Sequence, residues 1–363
     1  MRVAKRAGFP AAIVLVALAL PASLASAQEW TWYFVKGLES GGRVKVSAAA
    51  GEYQGGMAVK SFLPHPVLWK GSSEIAIDLT PPSRSGGELF GMWGDRQVGY
   101  AASPNQYHAA AWRGSAESYV NLNPSNARAS YAYATRGDQI VGMAQPNTST
   151  YEFAALWTGP TSAYVNLHNN SLATFSDAFA TDGEYQGGHA AYRASGQIHA
   201  TLWHGSASTM IDVHPSWNGV TVSVINAMAP GVQVGRAGYA SCLWRGTKDS
   251  ARLMFPDGMY GGELRGTDGT HHVGMASKDG REYGGIWMSD DPNSFVNLST
   301  MVASNVTGGS AWAIASDDMN MYVTGRVRIG SGPWQGIVWV RAIPSAPSAA
   351  LLAIGTAAWR RKR

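Results

Sequence analysis

The sequence predicts an all-β fold, a seven-bladed β-propeller whose last blade is completed by N-terminal strands. Three observations predict it: a tryptophan recurring seven times at intervals of 41 to 52 residues, a glycine with its own count of seven, and no helical periodicity between the chain ends.

The tryptophans are Trp69, Trp112, Trp157, Trp203, Trp244, Trp287 and Trp339, each behind small or aliphatic residues. The first five are followed by one residue and a glycine: Gly71, Gly114, Gly159, Gly205 and Gly246. The independent glycines are Gly56, Gly99, Gly142, Gly188, Gly235, Gly274 and Gly325. A third landmark reads Ile77-Asp78-Leu79, Val120-Asn121-Leu122, Val165-Asn166-Leu167, Ile211-Asp212-Val213 and Val296-Asn297-Leu298. Between it and the next glycine lie a small-residue run, such as Ser130 to Ala134, and a turn such as Arg136-Gly137-Asp138.

Each unit thus reads as four short strands separated by Gly, Pro, Asn or Asp turns, in roughly 45 residues, the period of a propeller blade. A lone blade exposes two apolar faces, so blades must stack, and closing the stack into a ring leaves no end face in water. The last unit stops at Gly336-Ile337-Val338-Trp339-Val340 without its Val-Asn-Leu strand. Phe34-Val35-Lys36-Gly37-Leu38 supplies a match for it, with one residue inserted, and Arg43 to Ser47 matches the small-residue strand before Gly56. The first strands of the mature chain are therefore expected to complete the last blade.

These units resemble the HAF family of extracellular repeats. Its His-Ala-Phe element before Leu-Trp reads here His108-Ala109-Ala110-Ala111-Trp112 and His199-Ala200-Thr201-Leu202-Trp203, and its opening is similar to Gly137-Asp138-Gln139-Ile140-Val141-Gly142. The resemblance is degenerate and covers most of residues 44 to 341. It implies an exported protein and says more about architecture than about activity.

The chain ends read as address segments. Arg2, Lys5 and Arg6 precede an apolar run from Ala11 to Leu20 and the small residues Ala25, Ser26 and Ala27, the pattern of a signal peptide over 1-27 cut by signal peptidase after Ala27. The propeller then spans 28-342. Residues 343-363 carry Pro344 and Pro347, an apolar stretch from Ser348 to Trp359, and Arg360, Arg361, Lys362 and Arg363. This end resembles a PEP-CTERM sorting tail, with Ser-Ala-Pro in place of the Glu-containing motif, and implies an exosortase-type partner. Its apolar stretch suits transient membrane insertion better than a permanent span.

The formal charge of +4 is misleading, because seven basic residues sit in those segments. Without them 21 Lys and Arg face 24 Asp and Glu, leaving −3. This excludes nucleic acid as the expected partner. Localisation is expected to be secreted or at a bacterial cell-envelope surface. The single Cys242 replaces Ala or Val of other repeats and reads as a small buried hydrophobe, so stability must come from core packing without a disulfide.

No catalytic residue, cofactor or metal is predicted. His65, His108 and His199 share one repeat position, but Phe153, Ala240 and Tyr283 fill it elsewhere, so it serves packing rather than a metal ring. Asp78, Asn121, Asn166, Asp212 and Asn297 read as turn residues bonding their own backbone. Arg136-Gly137-Asp138 reads as a hairpin turn, and His271-His272 as an isolated doublet. The loop aromatics Trp217, Tyr260 and Trp334 are the candidate ligand-facing residues. The functional expectation is a non-catalytic scaffold for a glycan or protein. The alternative is a secreted propeller lyase or hydrolase acting on polysaccharide, with acids scattered over several blades.

Overall fold

The computed structural model describes residues 29–72, 75–159 and 162–344. It contains seven four-stranded antiparallel sheets, each a blade. Their innermost strands, one per blade from 1 to 7, are Val44–Ala50, Gly86–Trp93, Ala127–Arg136, Ala173–Thr181, Ser223–Ala229, Gly261–Thr267 and Val306–Ser316. Blade 3 shows the common order outward from the axis: Ala127–Arg136, Gln139–Pro146, Phe153–Thr158 and Ala163–Asn166. Each innermost strand packs on those of both neighbouring blades, and Val306–Ser316 packs on Val44–Ala50, so the ring is closed.

Blade 7 takes its outer strand from the N-terminus: Thr31–Phe34 pairs antiparallel with Trp334–Ala342, and the Val35 N–H donates to the Gly336 carbonyl at 3.1 Å. The register differs from the sequence match. Tyr33 faces Val338 as Ile77 faces Leu68, and Phe34 faces Ile337 as Asp78 faces Val67. Tyr33-Phe34-Val35 therefore fills the Ile-Asp-Leu position with no inserted residue. Only this strand is lent to blade 7; Val44–Ala50 opens blade 1. Val35 and Leu38 carry the apolar pattern of that strand past its true position, since the position of Asp78 is here taken by Phe34.

Seven apolar clusters fill the seven interfaces between blades, and each contains one repeat tryptophan, at most 1% exposed. The tryptophan therefore recurs because each interface must bury two sheet faces around one large side chain. Three of the indoles also tie blades together. Trp157 and Trp339 donate to the carbonyls of Leu122 and Leu298 on the preceding blade, and Trp69 donates to Lys36, which follows the N-terminal strand of blade 7. Trp157→Phe removes one such bond and some packing, and should lower unfolding free energy by about 2 kcal/mol in denaturant titration.

The second landmark has a different cause. In all seven blades the ladder between the first two strands slips by one residue, at Val46/Ala48, Leu89/Gly91, Ala132/Ala134, Ala178/Ala180, Ile225/Ala227, Leu264/Gly266 and Ala311/Ala313. Just before the slip, a first-strand carbonyl lies against the landmark glycine of the second. A Cβ at Gly56, Gly99 or Gly142 would stand 1.9 Å from that oxygen, and at the other four glycines 2.0 to 2.1 Å. No side chain fits there. The glycine thus permits the bulge, and the bulge turns one extra side chain per blade toward the axis.

Candidate binding face

Chain connectivity gives the ring two unlike faces. The turns between first and second strands emerge where the inner strands end, and six of the seven carry or adjoin acids: Glu52, Asp95, Asp138, Asp182, Asp268 and Asp317. Several of these carboxylates cap their own turns, as Asp182 does for Glu184 and Tyr185. The opposite face, where the inner strands begin, holds the turns between second and third strands and the loops from one blade to the next. It is aromatic: Phe62 and Tyr239 are 98% and 92% exposed, and Tyr107, Tyr151 and Tyr260 are also exposed.

A central channel of about 650 Å³ is lined by residues of all seven innermost strands. Its mouth on the aromatic face, about 530 Å³, is bordered by the seven bulge residues Ser47, Phe90, Tyr133, Phe179, Asn226, Arg265 and Trp312, joined by Lys45, Glu263 and Arg326. The ring divides by chemistry. Blades 2 to 4 contribute an aromatic arc, with Phe90 and Tyr133 at 5.6 Å and Tyr133 and Phe179 at 5.1 Å between centroids. Blades 5 to 7 and blade 1 contribute polar and cationic groups around Trp312.

Three cations surround that indole: Lys45, Arg326 and Arg265 lie 5.0, 5.2 and 5.8 Å from its ring centre. Lys45 pairs with Glu88. Arg265 bonds Glu263 at 2.7 Å, and Glu263 also accepts from Asn226 and pairs with Arg236. Arg326 is different. Its guanidinium lies 5.2 Å from the ring centre of Trp312 and 4.2 Å from that of Trp334, and among the described residues it has no ion-pair partner, while its buried Nε meets no acceptor. Burial and the nearby Arg265 draw its pKa below the usual guanidinium value, against the pull of the Glu282 carboxylate.

On the aromatic side, Asp177 and His189 face one another across the first two strands of blade 4, with Nε2 to Oδ2 at 3.5 Å. Burial, with the Glu152 charge adding to it, pushes the Asp177 carboxyl up to about 7, and burial, with Arg236 adding to it, pushes His189 down to about 4. Phe175 and Phe179 flank the imidazole.

The three loop aromatics proposed from sequence all lie on the aromatic face, in three settings. Trp334 stacks on Arg326 beside the channel. Tyr260 is 69% exposed and lines a separate groove of about 500 Å³ with Tyr239 and Glu263. Trp217 is half-buried against the core between blades 4 and 5, where it anchors its loop. Ala25, Ala27, Pro347, Arg360 and Arg361 lie outside the described residues, and Pro344 is exposed.

The other repeated polar residues hold the blades. Oδ1 of Asp78, Asn121, Asn166 and Asp212 accepts the N–H two residues on, at 2.8 to 3.1 Å. His65 and His199 bond Asp78 and Asp212 on the adjacent strand, and His108 meets Arg84. His271 bonds Asp268, and His272 is buried against Asp290. Arg136 stacks over Trp93 at 4.4 Å, in the first hairpin of blade 3. Cys242 is fully buried, and burial pushes its thiol up to about 12.

Sequence reasoning missed the bulge ring, Arg326, Trp312 and Asp177. It also missed buried Gln97, Gln186 and Gln233, each two residues before a landmark glycine, whose side chains accept the N–H of Gly114, Gly205 and Gly246. Those glycines hold φ between +74° and +81°, which joins two of the sequence landmarks in one turn.

A closed ring of seven four-stranded sheets, clasped by its N-terminal strand and open along its axis, defines a β-propeller. The chain is similar to solved structures of two kinds of enzyme. One is a puromycin hydrolase mutant complexed with PGG, at a TM-score of 0.57 and 12% identity over 82% of this chain and 52% of that one. The other comes from a structural and mechanistic study of two prolyl endopeptidases, at 0.56 and 11% over 84% and 50%. At such identities the likeness concerns the fold alone, and this chain spans about half the length of those relatives. No family model and no curated protein matches it.

Proposed function

We propose that this protein is an exported, non-catalytic binding scaffold that takes a glycan at the channel mouth on its aromatic face. The observation that carries the reading is the bulge in every inner strand, which turns Ser47, Phe90, Tyr133, Phe179, Asn226, Arg265 and Trp312 to one mouth. Aromatic ring faces suit the C–H faces of sugars, while Asn226, Ser47 and the cations suit hydroxyl and acidic substituents. Export follows from the signal peptide read in residues 1 to 27, and the C-terminal segment is the expected substrate of an exosortase-type sorting enzyme. The repeats and both ends fit an HAF-type extracellular protein with a PEP-CTERM-like tail, at the cell-envelope surface or secreted from it.

The second reading, a polysaccharide lyase or hydrolase, draws on Asp177, a carboxyl that keeps its proton to about pH 7 beside the aromatic arc. A polysaccharide panel scored for both retention and reducing-end release separates the two. Retention without release, weakened at least tenfold in Trp312→Ala, is the expected result. Release abolished by Asp177→Asn overturns the scaffold reading.

A further inference from the structure

We propose that the mouth holds a subsite for the carboxylate of a uronic-acid residue, with the Arg326 guanidinium as its receptor. The proposal rests on the glycan reading of this mouth and deepens it. Four cations, Lys45, Arg236, Arg265 and Arg326, gather around the cationic side of the mouth. Glu88 is committed to Lys45, and Glu263 is shared by Arg236 and Arg265. Among the described residues Arg326 has no carboxylate within ion-pair distance, Glu282 acting on it only from farther off, and its side chain lines the mouth.

The manner of its holding matters as much as its charge. The guanidinium lies 5.2 Å from the ring centre of Trp312 and 4.2 Å from that of Trp334, so two indoles hold it beside the mouth that it lines. A carboxylate is planar and accepts two parallel N–H bonds from a guanidinium fork. Contact with two indoles restrains the side chain before the ligand arrives, and the partial desolvation of the mouth strengthens a charge-assisted bond. The group carrying the carboxylate would then face Trp312 on one side, Asn226 and Ser47 on another, and the aromatic arc across the opening. A pyranose ring offers each of these what it takes: apolar C–H faces to the rings and hydroxyls to the amide and hydroxyl. An acidic peptide would match the cation but lacks the apolar C–H ring face that a pyranose offers to the aromatic arc.

Titration calorimetry of the purified protein with mannuronate oligomers and with their methyl esters tests this directly, because esterification removes the charge and keeps the sugar. The free acid should bind at least tenfold more tightly than the ester. Arg326→Gln should abolish the preference for acid over ester, weakening the acid far more than the ester, while Arg326→Lys, a cation without the fork, should recover only part of that preference. Should the Arg326 variants fold poorly, the comparison of acid with ester on the unaltered chain still decides. Equal affinity for acid and ester, both weakened in Trp312→Ala, overturns the carboxylate subsite and leaves the glycan reading standing. Binding of an acidic peptide such as oligoglutamate, with no binding of any glycan, overturns both.

Discussion

Gly142→Ala is expected to cost about 3 kcal/mol or more of folding stability, whereas Gly137→Ala, five residues away in the same hairpin, should cost roughly 1 kcal/mol. Gly137 sits in the turn at φ +58° with open space where its Cβ would be, so alanine there suffers only from the left-handed backbone. Gly142 lacks that positive φ. Its hydrogen faces the Tyr131 carbonyl, and a methyl group would lie 1.9 Å from that oxygen and 2.9 Å from its carbon, both backbone atoms. Relief requires opening the pairing between Ala127–Arg136 and Gln139–Pro146, which sets the bulge and aims Tyr133. Urea titration of both variants measures the difference. Comparable losses would show that the landmark glycine is wanted for backbone freedom and not for the close approach.

Much of this architecture was legible because the features repeated. The interface tryptophans, the landmark glycines and the turn aspartates and asparagines each answer a demand that every blade makes, so one physical cause writes itself seven or five times. The register of the clasp was harder, since one strand is supplied by a distant segment and its Phe34 breaks the polar pattern of Asp78 and Asn121. The mouth was harder still. Its residues stand nine positions before the landmark glycine in blades 1 to 6 and thirteen before it in blade 7, and they read Ser, Phe, Tyr, Phe, Asn, Arg and Trp. A position whose side chain enters the channel has no packing demand in common with its equivalents, so repetition hides it among constant small neighbours. The usable signal is the inverse one: a variable position inside an otherwise constrained strand. Arg326 follows a landmark glycine directly, where other blades place Met57, Tyr100, Met143, His189, Arg236 and Met275, and only three dimensions bring it beside two tryptophans.

Asp177→Asn should stabilise the protein at pH 8 by up to about 4 kcal/mol more than at pH 4, the largest pH-linked effect expected here. In the unfolded chain this carboxyl releases its proton near 3.8, while in the folded blade it holds on to about 7. Between those values the native state binds the extra proton, so the stability of the unaltered protein falls as pH rises through the window and levels off above it. Asparagine keeps nearly the same shape and never ionises, so the variant escapes that loss. His189 acts in the opposite direction: pushed down to about 4 from 6.5, it removes stability as pH falls below 6.5, and it does so in both proteins. Their difference therefore isolates the carboxyl. Burial sets its proton affinity first and the Glu152 charge adds to it, since His189 stays neutral over most of the window. Denaturation midpoints of the two proteins at half-unit steps from pH 4 to 8 should diverge steadily upward. Parallel curves would mean that Asp177 is ionised throughout, and would also remove the protonated acid on which the catalytic reading draws.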